Sequence, residues 1–161
     1  PLWIASMSKA GALRAAKYDT NFLPQGLRKK SFDPWKETLM SSGRDPSDYR
    51  VGIIRSIHVT NDKDSDWEPI RQSERYRMEL YKRFFEESGE GFGEQGEPVP
   101  QTWIVGTVED CISELKQFIL EFGITDIVTM AMPPGIRAKE MYQSLELLFT
   151  QVVPRLKQEI D

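Results

Sequence analysis

The feature that most constrains this chain is its rhythm: short apolar runs closed by turn residues, each followed by a stretch with helical spacing. The first run, Leu2-Trp3-Ile4-Ala5, passes through Ser6-Met7-Ser8 into a helix expected from Lys9 to Lys17, with Ala12, Leu13 and Ala16 as its buried stripe. Asp19 to Pro24 gives a second short strand, stopped by Pro24-Gln25-Gly26. Asp33 is then expected to cap a helix carrying Pro34 at its first position, with Trp35, Leu39 and Met40 on the apolar side. Arg50 to Thr60 is the most legible strand: Val51, Ile53, Ile57 and Val59 alternate with Gly52, Ile54, Ser56, His58 and Thr60. Ile124 to Met132 reads as the fourth. Pro133-Pro134-Gly135 cuts it off ahead of a helix from Ala138 to Lys157, with Met141, Leu145, Leu148, Phe149 and Val152 inward and Pro154 bending or ending it.

Strands alternating with amphipathic helices pair in parallel through right-handed crossovers. Four such units make an α/β fold equal to half of a (β/α)8 TIM barrel. A half-barrel leaves two sheet edges and an inner face uncovered, which predicts either a homodimer or a missing N-terminal half. The expectation is one domain, residues 1–161, interrupted by an insertion over 61–102. Within the insertion Asp66 is expected to cap a helix from Trp67 to Glu87, whose Ile70, Tyr76, Leu80, Tyr81, Phe84 and Phe85 form core or an interface. A glycine- and proline-rich stretch from Ser88 to Pro100 follows, either a lid or a plain surface excursion. Thr107 and Asp110 have capping-box spacing ahead of a helix with Cys111, Ile112, Leu115, Phe118, Ile119 and Phe122 buried, and Gly123 ends it.

Composition narrows the function. The net charge of −4, with 21 basic and 25 acidic residues interleaved, leaves no basic stripe for nucleic acid. No apolar run is long enough to cross a bilayer and no signal peptide is visible, so a cytoplasmic location and no membrane partner are expected. Cys111 and His58 are the only residues of their kinds, which argues against a disulfide, a Cys/His metal cluster or any resident metal. Cys111 sits among core residues and reads as packing rather than as a nucleophile. A strand that begins immediately behind Pro1, with no Met, raises the expectation of a piece of something longer.

Two places could carry chemistry. At the opening turn, the unpaired N–H groups of a helix start surrounded by small residues could receive a phosphate at the C-terminal end of a strand. The competing reading is that Ser6 or Ser8 caps an ordinary helix. His58, inward near the end of its strand, reads either as a hydrogen-bond donor or proton carrier in a site, or as a satisfied interior histidine.

The stretches Pro1-Leu2-Trp3-Ile4-Ala5-Ser6-Met7-Ser8 and Ala12-Leu13-Arg14-Ala15-Ala16, then Gly106-Thr107-Val108-Glu109-Asp110 leading to Gly123-Ile124-Thr125-Asp126-Ile127, and finally Val152-Val153-Pro154-Arg155-Leu156, resemble the C-terminal half of bacterial luciferase-like flavin monooxygenases. The resemblance implies a TIM barrel that binds reduced FMN, or deazaflavin F420 in some branches, at the C-terminal ends of its strands. It implies an oxidoreductase that uses O2 to oxidise a small-molecule substrate, with a flavin reductase as supplying partner. The insertion after the seventh strand matches Asn61 to Thr102. Residues carried over are Ser6, Met7, Ser8 and Gly11 at the flavin phosphate, Pro24 and Gln25 as one wall of the pocket, and His58 at the substrate rim. Ser6 and Met7 replace the glycine and polar residue more usual there. Catalytic residues are expected in the N-terminal half, so this half alone would be inactive. The alternatives are an F420-dependent oxidoreductase of the same fold and a non-catalytic half-barrel dimer.

Overall fold

The computed structural model describes residues 1–6, 8–24, 29–89, 103–130 and 132–160. Along the chain run β1 (Trp3–Ser6), α1 (Lys9–Lys17), β2 (Asn21–Pro24), α2 (Lys29–Ser41), β3 (Gly52–Ile54), β4 (Ser56–Val59), α3 (Lys63–Glu87), β5 (Trp103–Gly106), α4 (Val108–Phe122), β6 (Asp126–Val128), α5 (Ala138–Leu147) and α6 (Val153–Ile160). The strand pairs β1 with β2, β3 with β6 and β4 with β5 are all parallel, and a bridge between Phe22 and Val51 joins β2 to β3. This is the α/β half-barrel pattern that the alternation predicts. The chain forms two compact units, residues 1–55 with 116–129, and residues 56–115 with 130–161.

In the first unit the parallel order is β1, β2, β3, β6. Ala12, Ala15 and Ala16 are fully buried and let α1 lie close to Phe22, Trp35 and Val51. Leu13, expected in that stripe, faces out, because three alanines and Gly11 already fill the contact side. Trp35 stacks on Phe22 at 5.7 Å between ring centroids, and Phe32 meets Phe122 edge-on at 5.8 Å. Burial of Phe32 explains why α2 starts at Lys29 and not behind Asp33, leaving Pro34 inside the helix. Thr38 Oγ1 donates to the Pro34 carbonyl at 2.7 Å. Gly123, at φ +65°, ends α4 as expected, with the N–H groups of Gly123 and Ile124 both closing on the Ile119 carbonyl at 2.9 and 3.3 Å.

The run from Arg50 to Thr60 is not one continuous strand. It breaks at Arg55, which is buried with its guanidinium over the Phe118 ring at 4.9 Å while its N–H still reaches the Val128 carbonyl at 2.9 Å. β6 is correspondingly shorter than the expected Ile124 to Met132, since its ladder with β3 spans three residue pairs.

The second unit contains a strand that the sequence reading missed, β5, paired along the whole of β4. Its run of Trp103-Ile104-Val105 is short and follows the glycine-rich stretch, of which residues 90–102 lie outside the described part. α3 begins at Lys63, ahead of the expected start, because Asp62 is the cap, accepting the Ser65 N–H at 3.3 Å. Ile70 packs with Trp103, Val105 and Met141, whereas Tyr76, Tyr81, Phe84 and Phe85 are exposed and lie outside this core. The Thr107 and Asp110 capping box forms as predicted, with reciprocal bonds of 3.0 and 3.2 Å. Cys111 is buried, its thiol pushed up to about 12, first by burial and then by Asp110 and Glu114. α5 runs into α6 through a π-helical turn, Leu148–Val152. That turn absorbs Pro154 without a break in the helix. Leu148, Val152 and Leu156 stay inward at a spacing of four, which turns Phe149 outward, contrary to expectation. No described helix is long and apolar enough to cross a membrane.

Candidate functional site

The first candidate lies where β1 hands over to α1. Ser8 has extended backbone and its hydroxyl accepts the Gly11 N–H at 3.1 Å, so it is the N-cap of α1. Ser6 Oγ accepts the Ser8 N–H and lies 3.1 Å from Ser8 Oγ, so the two hydroxyls form a short chain over the helix start. Gly11 is required here for space: a Cβ on it would lie 1.9 Å from Ser6 Oγ and 2.2 Å from Ser6 Cβ. Pro24 is the register partner of Ser6 at the C-terminal ends of the two strands. The structure thus brings Ser6, Ser8, Gly11 and Pro24 together, and Met7 and Gln25 lie outside the described residues. The first turn of α1 carries no acidic residue, so its N–H groups and Lys9 present only positive character. Capping, the competing reading, is present in fact. Capping uses one first-turn N–H and leaves others of that turn without intrahelical partners.

The second candidate belongs to the other unit. His58 sits in β4 with its side chain only 6% exposed. Its Nε2 lies 3.4 Å from Asp66 Oδ2, and the same oxygen accepts the Thr60 hydroxyl at 2.6 Å. Thr60 Oγ1 in turn accepts the Asp62 N–H at 3.0 Å, which ties the start of α3 to the end of β4. A carboxylate only accepts, so Nε2 carries the proton and Nδ1 is a buried lone pair with no described partner. Burial lowers the His58 pKa, and the Asp66 carboxylate opposes that from the other side. Neutral imidazole is therefore the favoured form near pH 7.

Asp66, expected as a helix cap, serves instead as the acceptor for two residues of the strand end, a role visible only once strand and helix are seen together. His58 and Asp66 line a cleft of about 490 Å³ whose other walls come from Pro69 and Ile70 of α3 and from Pro134, Ile136 and Met141. Ser65, Gln72 and Ser73 add polar groups, and the Ser73 hydroxyl donates to the Pro134 carbonyl. The residues 134–141 were missed as site residues because they lie far along the chain from the strand and helix they face, with 70 positions separating Asp66 from Ile136. Among the described residues no group of three or more His, Cys, Asp or Glu side chains is placed to hold a metal ion.

No family model and no curated protein sequence matches the chain. Solved structures do. The chain aligns with the oxygenating constituent of 3,6-diketocamphane monooxygenase from Pseudomonas putida, a type II Baeyer-Villiger monooxygenase in complex with FMN, at TM-score 0.65 and 16% identity, over 95% of this chain and 47% of that one. It aligns with a long-chain alkane monooxygenase at TM-score 0.68 and 16% identity, over 98% and 41%. A coenzyme F420-dependent tetrahydromethanopterin reductase from Methanopyrus kandleri gives TM-score 0.62 and 18% identity, over 97% and 51%. The chain spans about half the length of these proteins, and at such identity the likeness carries the fold.

Proposed function

From the premise that this chain has the fold of half a luciferase-like flavin monooxygenase barrel, we propose that it belongs to a monooxygenase that uses reduced FMN and O2 to oxidise a small organic molecule, and that it supplies the phosphate-holding side of the flavin site. The observation that supports this most is the β1 to α1 turn: an acid-free helix start at the C-terminal end of a parallel strand, bordered by two serines and a glycine that tolerates no side chain. When bound, a reduced flavin supplies electrons to O2, and a deazaflavin supplies hydride. The chain's own part is to bind and orient. Ser8 Oγ and the first-turn N–H groups of α1 hold the phosphate, Ser6 sets the direction of the Ser8 hydroxyl, and Met7 offers its backbone. Pro24 and Gln25 form one wall. Catalytic groups come from the N-terminal half of the barrel, and a flavin reductase is the natural supplier of reduced cofactor.

The second reading, an F420-dependent oxidoreductase, is favoured by the F420-dependent enzymes among the structural neighbours. Equilibrium titration of the purified protein with FMN and with F420, followed by flavin fluorescence, distinguishes the two. We expect saturable FMN binding that inorganic phosphate competes away and that Ser8→Asp weakens at least about tenfold, because a carboxylate at the helix start repels phosphate. Preference for F420 would transfer the reading to the deazaflavin branch. Binding of neither, or binding indifferent to Ser8→Asp in a folded variant, would overturn it.

A further inference from the structure

We propose that Met130 is an oxidation site for hydrogen peroxide, with Arg77 as the residue that promotes the oxygen transfer and then holds the sulfoxide. The site uses no residue of the opening turn, so it is independent of the flavin reading. Arg77 projects from the middle of α3 beside Glu74, which is only 1% exposed and takes the Arg77 Nη2 donor on its carboxylate. A buried acid one helical turn away fixes the guanidinium in place. Its other terminal nitrogen, Nη1, lies 3.8 Å from the sulfur of Met130, just past the end of β6. A full cation thus aims a donor at a thioether, which is a weak acceptor. Ser73, one turn earlier on the same face of α3, donates to the Pro134 carbonyl, so the helix is bonded to this stretch of chain at both Met130 and Pro134.

Oxidation turns that weak acceptor into a strong one. Met130 is 44% exposed, so a small peroxide reaches the sulfur lone pair that Arg77 leaves open. The lone pair attacks one peroxide oxygen, the O–O bond breaks, and the departing hydroxide takes the proton left on the transferred oxygen. Sulfur is oxidised by two electrons to the sulfoxide, and the peroxide is reduced to water. Negative charge develops on the leaving hydroxide, where a fixed guanidinium stabilises it. Rotation about the terminal bonds of the unbranched side chain then turns the new oxygen to Arg77 Nη1, and a contact with sulfur becomes a charge-assisted hydrogen bond. Met40 and Met132 provide the contrast: they are 57% and 54% exposed, and among the described residues no hydrogen bond reaches their sulfurs.

To test this, the folded protein is treated with hydrogen peroxide and each methionine is followed by peptide mass mapping. Exposure alone ranks Met40 and Met132 ahead of Met130. The expected order is the reverse, with Met130 oxidised at least about threefold faster than either, the rate equivalent of one weak hydrogen bond. In urea-unfolded protein the three rates are expected to converge. Arg77→Lys, which keeps a cation for Glu74 and loses the fork that reaches Met130 as well, is expected to bring Met130 down to the Met132 rate. In a Met40→Leu and Met132→Leu double variant, Met130 sulfoxide is expected to raise the melting temperature by about 2 °C. Equal or slower oxidation of Met130 in the folded protein would overturn the proposal. So would a preference that survives unfolding, an Arg77→Lys protein with the wild-type order, or a sulfoxide that leaves the melting temperature unchanged or lowers it.

Discussion

The opening turn and the His58 cleft use the same chemical groups, hydroxyls and backbone N–H, to opposite ends. At the turn, Ser6 and Ser8 lie within three residues of the N–H groups they serve, and Gly11 is needed because the serines occupy the space above it. In the cleft, His58, Thr60 and Asp66 come from a strand end and a helix start, and the opposite wall comes from residues around 134–141. The first is a local device that closes on itself. The second is assembled by the fold, and it leaves a buried imidazole nitrogen without a described partner.

The contrast predicts unequal responses to substitution. The largest effect belongs to Gly11→Ala, since the added Cβ meets both Ser6 Oγ and Ser6 Cβ and the turn itself must shift. Urea or thermal unfolding should show a loss of about 1–3 kcal/mol, accompanied by loss of FMN binding. A wild-type melting curve in that variant would mean the turn is soft and would remove its claim to be a rigid phosphate cradle.

Next come the caps, which test whether the two places differ in function or only in appearance. Ser8→Ala and Asp62→Ala each remove one N-cap acceptor and should each cost about 1 kcal/mol by the same measurement. Only Ser8→Ala should also weaken FMN. If both variants behave alike in the flavin titration, the turn is a cap and nothing more.

The pH dependence sharpens the cleft side. His58 binds a proton less readily in the folded chain than in the unfolded one, where the ordinary value is 6.5, because burial outweighs the help from Asp66. Stability is thus fully present above pH 6.5 and falls as the pH drops below it. His58→Gln should flatten that limb in melts taken between pH 7 and 5, leaving untouched the steeper acid loss below about pH 4, where carboxylates such as Asp110 and Glu140 take up protons. An unchanged slope would place the proton uptake elsewhere. The smallest effect is expected for Arg50→Ala, which breaks a partly exposed pair with Asp126 and should cost about 1 kcal/mol or less.

What the sequence made legible follows the same division. The opening strand, α1 from Lys9 to Lys17, the Thr107 and Asp110 capping box and the Gly123 stop all rest on neighbours within one or two turns, and each is found in the structure. The misses are long-range. β5 was invisible because three apolar residues behind a glycine-rich stretch become a strand only by pairing with β4. Asp33 lost its cap role once Phe32 had to be buried. Phe149 turned outward because a π-helical turn shifted the register ahead of Pro154. Ser6 and Ser8 could be named from their place between strand and helix and Gly11 through the family resemblance, whereas Asp66 was read as a cap because nothing within four residues shows that the strand end reaches back to it.

The buried thiol of Cys111 has one more consequence. Held down by burial and bonded to the Gly106 carbonyl at 3.7 Å, it is neither ionised nor reachable while the start of α4 stays docked. A thiol reagent can therefore attack only through an opening event, and the chain has no second cysteine to confuse the count. Labelling rate becomes a stopwatch for that opening, reading the population of a locally unfolded state under native conditions without any engineered probe.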